Sequence, residues 1–396
     1  MLRYWTAGES HGPALVALVD GFPAGLVIDA ALIDAELRRR QGGHGRGGRQ
    51  RIETDSVTFL SGLWRGITLG SPLALEVVNK DAKLERLEEV ERPRPGHVDL
   101  AGAVKHLGGV RAVLERASAR ETAARVAAGA LARQLLSAFG IEVAGWVREL
   151  GGFALGDRPG TLPELRAIRD TSAVYSLHPE RDAEVTAFID RVGKEGDTLG
   201  GIVEVRVDGL PIGLGTHAQW DRKLDGRLAQ AVMAVQAIKG VEIGMGFEAA
   251  RRRGSEVHDA IRYDAAVRGG PQLGFTRPTN NAGGLEAGIT NGQPLVVRAA
   301  MKPIATLRKP LESVNLASKQ PEEAAYERSD VCAVSACSVI VENVVAFEVA
   351  AALVDKFGGD SVTEMRARWA WVPRPIGRPS TRTSTMPPSV SPSLPT

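Results

Sequence analysis

The stretch Glu115-Arg116-Ala117-Ser118-Ala119-Arg120-Glu121-Thr122-Ala123-Ala124-Arg125-Val126-Ala127-Ala128-Gly129-Ala130, running on to Gly140, is the clearest helix in the chain. Ala and Leu, both strong helix formers, dominate it. Ala124, Ala128, Leu131, Leu135 and Phe139 recur at helical spacing and predict one buried face. Ser118 and Glu121 stand in the S-x-x-E spacing of a capping box. Gly140 is a natural stop. The small residues predict close approach by other elements. The first turn is a candidate anion site, because helix N-termini present unpaired N–H groups and Arg116 and Arg120 add fixed charge.

Outward from this helix, residues 2–7, 14–19, 57–60, 73–78, 141–147, 200–207 and 294–301 read as strands. Asp29 predicts the cap of a helix over 30–40. Residues 153–196 suggest short helices, 224–238 alternate at helical period, and 339–357 form a long apolar helix stopped by Gly358. Strands at hairpin spacing with helices in blocks predict an α+β fold, antiparallel sheets packed with helices in one large domain. From Pro373 the chain is Pro-, Ser- and Thr-rich, so residues 1–372 are expected to fold and 373–396 to form a disordered tail.

The chain has 396 residues, 43% hydrophobic, with a net charge of only +2, which argues against general nucleic-acid binding. Two cysteines, Cys332 and Cys337, are too few for a disulfide framework and suit a reducing compartment. No secretory h-region and no run of 18 apolar residues stands out, so the expectation is a cytoplasmic protein with no membrane partner. No metal-ligand spacing is evident.

Two motifs mislead. Gly8-Glu9-Ser10-His11-Gly12 spells the G-x-S-x-G nucleophile elbow, yet only seven residues precede it and no histidine follows His258. Gly43-His44-Gly45-Arg46-Gly47-Gly48 spells G-x-G-x-x-G but follows a helix instead of a strand, against a dinucleotide fingerprint. Residues 38–51 hold six arginines and five glycines, which reads as a loop that is flexible when empty and closes over a small polyanion. An Arg-Gly segment that binds single-stranded RNA is the rival reading, but no aromatic residue lies there to stack a base. Taken together, His11, His97, the arginines at 40, 46, 94, 116 and 120, and Arg328 with Asp330 describe a cationic pocket equipped for proton transfer.

In order along the chain, Gly8 to Gly12, Arg38 to Gly43, Arg94-Pro95-Gly96-His97, Arg116 to Thr122, Gln236 to Glu242, Asn291 to Pro294, Met301 to Ile304 and Arg328-Ser329-Asp330 resemble the chorismate synthase family. The resemblance implies a family-specific fold of antiparallel sheets around helices and a homotetramer. The implied reaction is a 1,4-elimination of phosphate from 5-enolpyruvylshikimate 3-phosphate, giving chorismate. It requires reduced FMN without net redox change.

The resemblance also implies residue roles. His97 is expected to protonate or hydrogen-bond the reduced flavin, His11 to donate a proton to the departing phosphate, and Asp330 to assist removal of the C6 proton. Arg116, Ala117, Ser118, Gln236, Ala237, Ala287, Lys302, Pro303, Ile304, Ala305, Thr306 and Arg328 match FMN-binding positions. Arg40 and Arg46 match positions assigned to NADPH in members that reduce their own flavin, and could equally grip substrate. Ser10, Arg49 and Arg120 complete the expected set for substrate or NADPH. The chain departs from the family pattern at His44 and His106, where Tyr is usual, and at Ser335 and Ser338, where Pro and Gly are usual.

Overall fold

The centre of the molecule is a pair of buried helices that touch almost backbone to backbone. The computed structural model describes residues 1–48, 53–327 and 330–370; the expected disordered tail lies outside them. In chain order the main elements are β1 (Arg3–Ala7), β2 (Ala14–Asp20), α1 (Ala30–Gln41), β3 (Thr58–Ser61), β4 (Leu73–Val78), α2 (Asp99–His106), α3 (Val110–Ala117) and α4 (Thr122–Ser137). They continue with β5 (Glu142–Leu150), β6 (Phe153–Ala154), α5 (Leu162–Thr171), α6 (Asp182–Lys194), β7 (Gly201–Asp208), α7 (Leu224–Met233), β8 (Ile238–Ile243), β9 (Leu295–Met301), α8 (Val334–Phe357) and α9 (Val362–Ala370).

Two antiparallel sheets enclose the helices. The first has the order β1-β2-β4-β3 and packs on α4. Its inner face pairs Leu15 with Val77, Ala17 with Leu75 and Val19 with Leu73, all buried, as the period-2 alternation requires. The second has the order β8-β9-β7-β5-β6 and packs on α8. There Leu295, Val297 and Ala299 pair with Val207, Val205 and Val203. The expected α+β class is the observed one. Alpha8 is long and apolar enough to cross a membrane, yet 94% of its most apolar window is buried inside the fold.

Gly129 explains the contact between α4 and α8. A Cβ there would lie 2.2 Å from the Asn343 carbonyl oxygen. Alpha4 is rich in Ala and α8 in Ala and Val, and 12 of the 16 residues of α4 are buried, as its small side chains predict.

Three expectations need correction. The opening stretch is not one helix. It breaks at Ser118, whose backbone is extended (φ −60°, ψ 141°), between α3 and a 3-10 turn at Ala119–Glu121. The Ser118 hydroxyl accepts the Arg120 N–H at 3.3 Å, but Glu121 does not complete a capping box. Its carboxylate instead accepts from the Thr6 hydroxyl at 2.6 Å, from Arg125 and from Gln236. Burial alone would raise the Glu121 pKa, but the Arg125 charge and these hydrogen bonds hold it below the usual range.

Residues 224–238 are not one helix either. Alpha7 stops at Met233, Ala237 takes a left-handed φ of 67°, and Ile238 starts β8. Ile238 continues the helical spacing of Leu224, Leu228 and Val232, so periodicity cannot see the break.

Finally, residues 38–41 are helical, and 42–48 are tied down. Arg40 is buried and Arg39 partly buried because each meets a buried carboxylate, Asp55 and Glu342 respectively. His44 N donates to the Ala173 carbonyl at 2.9 Å, and Val331 N donates to that of Gly45 at 2.9 Å. The glycines serve close packing. A Cβ on Gly43 would sit 2.4 Å from the Ser335 Cβ. The unusual serines are satisfied, with Ser335 Oγ donating to the Val174 carbonyl and Ser338 Oγ to that of Ser335.

Candidate active site

The break at Ser118 borders a cleft of about 530 Å³. Ala117 to Arg120 form one side, and the turn Arg94-Pro95-Gly96-His97 forms another. Gln236, Ala237, the segment Met301 to Thr306, Asp330 and the start of α8 complete its lining. Leu114, Val235, Ile304 and Ile340 give the cleft apolar walls.

His97 is held by a buried network. Asp99, fully buried at the start of α2, accepts from Arg94 Nε at 2.8 Å, Arg94 Nη2 at 3.0 Å and the Arg94 backbone N–H at 3.0 Å. Its Oδ1 also contacts His97 Nδ1. Arg94 Nη1 donates onward to Thr306 Oγ1 at 3.0 Å, linking the turn to the segment Met301 to Thr306. Burial would raise the Asp99 pKa, but the hydrogen bonds from His97 and Arg94 outweigh it and hold the carboxyl well below its ordinary range.

The anion-facing side is built around Asp55. Arg120 Nη1 donates to both Asp55 oxygens, at 2.8 and 2.7 Å, and Arg40 Nη2 reaches Oδ2 at 3.1 Å. Arg120 Nε donates to Asn79 Oδ1 at 2.8 Å. Burial, opposed by Asp55 but aided by Arg120 and Arg46, pushes Arg40 down to about 10. Arg46 pairs with Asp330 Oδ2 at 3.2 Å, and the Gly47 N–H donates to Asp330 Oδ1 at 2.6 Å. Lys302 donates to the Gly96 carbonyl, and burial together with the nearby Lys239 charge lowers its pKa.

Several buried atoms along the cleft have no hydrogen-bond partner among the described residues: Arg40 Nε, Arg46 Nε, Arg120 Nη2 and the acceptor Gln236 Oε1. Leaving such groups unpaired costs about 1–3 kcal/mol each. Three guanidinium nitrogens without a hydrogen bond, one of them (Arg120 Nη2) 3.8 Å from Glu53 Oε2, an amide oxygen and apolar walls fit a ligand that is both flat and anionic, as a flavin phosphate is.

Not every expected residue reaches the cleft. His11 is bracketed outside its lining by Glu115 Oε2, 2.9 Å from Nδ1, and by Asp81 Oδ2, 3.8 Å from Nε2. Ser10 is buried beside it, its N–H donating to the Glu115 carbonyl at 3.0 Å. Arg116 spends its guanidinium on the Thr6 and Gly8 carbonyls, at 2.9 and 3.0 Å. Ala287 turns a short hairpin between Leu285–Glu286 and Ile289–Thr290, away from the cleft lining. Arg49 and Arg328 lie outside the described residues.

The profile of the chorismate synthase family matches residues 2–354. The chain belongs to the chorismate synthase family. The chorismate synthase of Geobacter metallireducens (strain ATCC 53774 / DSM 7210 / GS-15) is 55% identical over 383 residues, covering 93% of this chain and 98% of that one. That of Geobacter sulfurreducens (strain ATCC 51573 / DSM 12127 / PCA) is 52% identical over 383 residues. A crystal structure of a chorismate synthase superposes with a TM-score of 0.76 at 42% identity, covering 93% of this chain and 96% of that one. A chorismate synthase is a lyase of the shikimate pathway, so the family reading of the motifs holds and the serine-hydrolase, dinucleotide-fold and RNA-binding readings fall away. The buried ion pairs of Arg39, Arg40 and Arg46 also leave no exposed arginine row for RNA at residues 39–46.

The cations of the cleft and one of its carboxylates, Asp330, were legible in the sequence; the buried carboxylates behind them were not. Asp55, Asp99 and Glu115 are buried carboxylates, each holding an expected site residue. For Asp99 a signal existed, because His97-x-Asp99 spacing can bring a carboxylate under an imidazole. Asp55 and Glu115 carry no local mark, since their partners lie far off in sequence.

Proposed function

We propose that this cleft catalyses the anti-1,4-elimination of phosphate from 5-enolpyruvylshikimate 3-phosphate with reduced FMN as the required cofactor. What carries the reading is the convergence of His97, Asp330 and three arginine nitrogens without a hydrogen bond among the described residues on one cleft with apolar walls. Ala117, Ser118, Gln236, Ala237, and Lys302 to Thr306 would hold the flavin, with Arg328 and the Ala287 hairpin as further candidates. When bound, reduced FMN supplies electron density to the allylic system as phosphate departs.

The chain's own residues do the rest. Arg40, Arg46, Arg49 and Arg120 bind the anionic groups, because two carboxylates and a phosphate can be desolvated only against fixed cations. The same arginines could bind NADPH as reductant. Asp330 accepts the C6 proton; the C6–H electron pair forms one ring double bond, the existing ring double bond shifts to the carbon that bore phosphate, and the C–O bond pair leaves with phosphate. His97 is the proton donor on the flavin side, and Lys302 adds positive charge beside it. His11, with Nδ1 held by Glu115, would serve the leaving phosphate from Nε2 only on turning from Asp81 Oδ2, 3.8 Å away, towards the cleft whose lining it does not share. The catalytic domain spans residues 1–372 and works as a cytoplasmic homotetramer.

The test is anaerobic turnover with chemically reduced FMN, following phosphate and chorismate together. Equal yields of the two, and none with oxidised FMN, support the reading; release of phosphate without a diene product overturns it. A parallel reaction in the dark with oxidised FMN and NADPH decides whether the enzyme reduces its own flavin. Light scattering reads the oligomer.

A further inference from the structure

Two nitrogens of His97 compete for the ligand, and its surroundings choose between them. Nδ1 contacts Asp99 Oδ1 and lies 3.0 Å from Arg94 Nη2. A guanidinium can only donate, so Arg94 alone would require an unprotonated Nδ1. Asp99 decides otherwise. Its carboxylate is buried, takes three N–H bonds from Arg94 and is therefore ionised and able only to accept. Arg94 Nη2 gives one of its two N–H groups to Asp99 Oδ1 at 3.0 Å, while the shorter contact between Asp99 Oδ1 and His97 Nδ1 would set lone pair against lone pair unless Nδ1 carries the proton. The proton of the closest contact must sit on Nδ1.

We propose that Asp99 is a positioning residue: it holds the Nδ1 proton of His97, so that Nε2 is the nitrogen offered to the ligand in the cleft. This rests on the reading of His97 as the cleft's proton donor. The carboxylate also stabilises the imidazolium, and Arg94 keeps Asp99 from taking the proton itself. The other charged groups that line the cleft with His97 are Lys302, bonded to the neighbouring Gly96 carbonyl, and Lys239, Arg40, Arg46, Asp330, Arg120 and Glu53. The arrangement recurs independently at His11, where Glu115 Oε2 accepts from the backbone N–H at 3.0 Å and lies 2.9 Å from Nδ1.

Asp99→Asn tests it. The amide keeps the volume and an oxygen for Arg94, but turns an N–H donor to Nδ1 and so favours the other tautomer. In anaerobic turnover the alkaline limb of the kcat profile should move down by at least about one pH unit. At neutral pH kcat should fall roughly ten- to ten-thousand-fold, with KM within about threefold. A limb in the wild-type place with kcat within about threefold overturns the proposal. Should this variant fail to fold, ¹⁵N-histidine NMR of the wild-type enzyme decides, with the His97 signals assigned by His97→Ala. A pyrrole-type Nδ1 in the neutral ring is expected, and a pyrrole-type Nε2 overturns the proposal. His97→Ala with wild-type turnover would sink the underlying reading of His97, whereas a dead His97→Ala beside an unaltered Asp99→Asn sinks only this inference.

Discussion

Replacing Gly129 by Ala sets two effects against each other, and their magnitudes decide the sign. In a helix interior Ala is favoured over Gly by about 0.8–1.0 kcal/mol. The new methyl, however, would lie 2.2 Å from the Asn343 carbonyl oxygen, 2.5 Å from its Cβ and 2.6 Å from its carbonyl carbon. These are backbone and near-backbone atoms in the middle of α8, so no rotamer change relieves the clash. The helices must part by about 1 Å, which forfeits a quarter to a half of each dispersion contact along the seam. Overpacking of this kind costs about 1–3 kcal/mol, and more where the neighbour cannot move. Because backbone atoms cannot give way, the cost falls at the upper end, about 3 kcal/mol, and subtracting the roughly 1 kcal/mol gained in propensity leaves an expected net loss of about 2 kcal/mol. Alpha8 also supplies Ala336, Cys337 and Ile340 to the cleft, so kcat of the folded variant should drop as well. Thermal unfolding followed by circular dichroism, with Ala187→Gly on the exposed face of α6 as a control for propensity alone, measures the effect. A Gly129→Ala protein as stable as wild type would refute the close helix contact on which the fold rests.

Asp55→Asn should leave Arg40 and Arg120 facing each other without their shared counter-charge, at a cost of about 3–5 kcal/mol. Inorganic phosphate should then raise the Tm of the variant more than that of wild type, at matched ionic strength, and an equal rise would count against an anion site there. Acid stability tests the cluster of Glu36 with Arg133 and Arg39, where burial opposes ionisation but the two arginines win and lower Glu36 to about 2. A folded pKa below the unfolded value means stability that is fully present above about pH 4.3 and is lost as pH falls towards 2. Glu36→Gln should therefore lose stability at pH 7 and flatten the acid limb of the Tm profile, and parallel profiles would refute the pairing.

Local pattern was enough for much of the architecture. Alternation in residues 14–19, 73–78, 200–207 and 294–301 marked four strands, and Asp29 marked its helix, its Oδ1 accepting the Ala31 N–H at 2.9 Å. These features follow from forces between near neighbours along the chain, which the order of residues encodes directly. The ordered motifs likewise named the family and the cationic character of the cleft. What the sequence could not decide depends on residues far apart. The kink at Ser118 is accompanied by the capture of Glu121 by Thr6 and Gln236, both more than a hundred positions away. Arginines that composition assigned to a flexible loop become interior residues once Asp55 and Glu342 are brought beneath them. The same holds for His11, which sequence put in the cleft and Glu115 holds outside its lining. A buried charge is tolerable only against an opposite charge, and only the tertiary structure determines which one arrives.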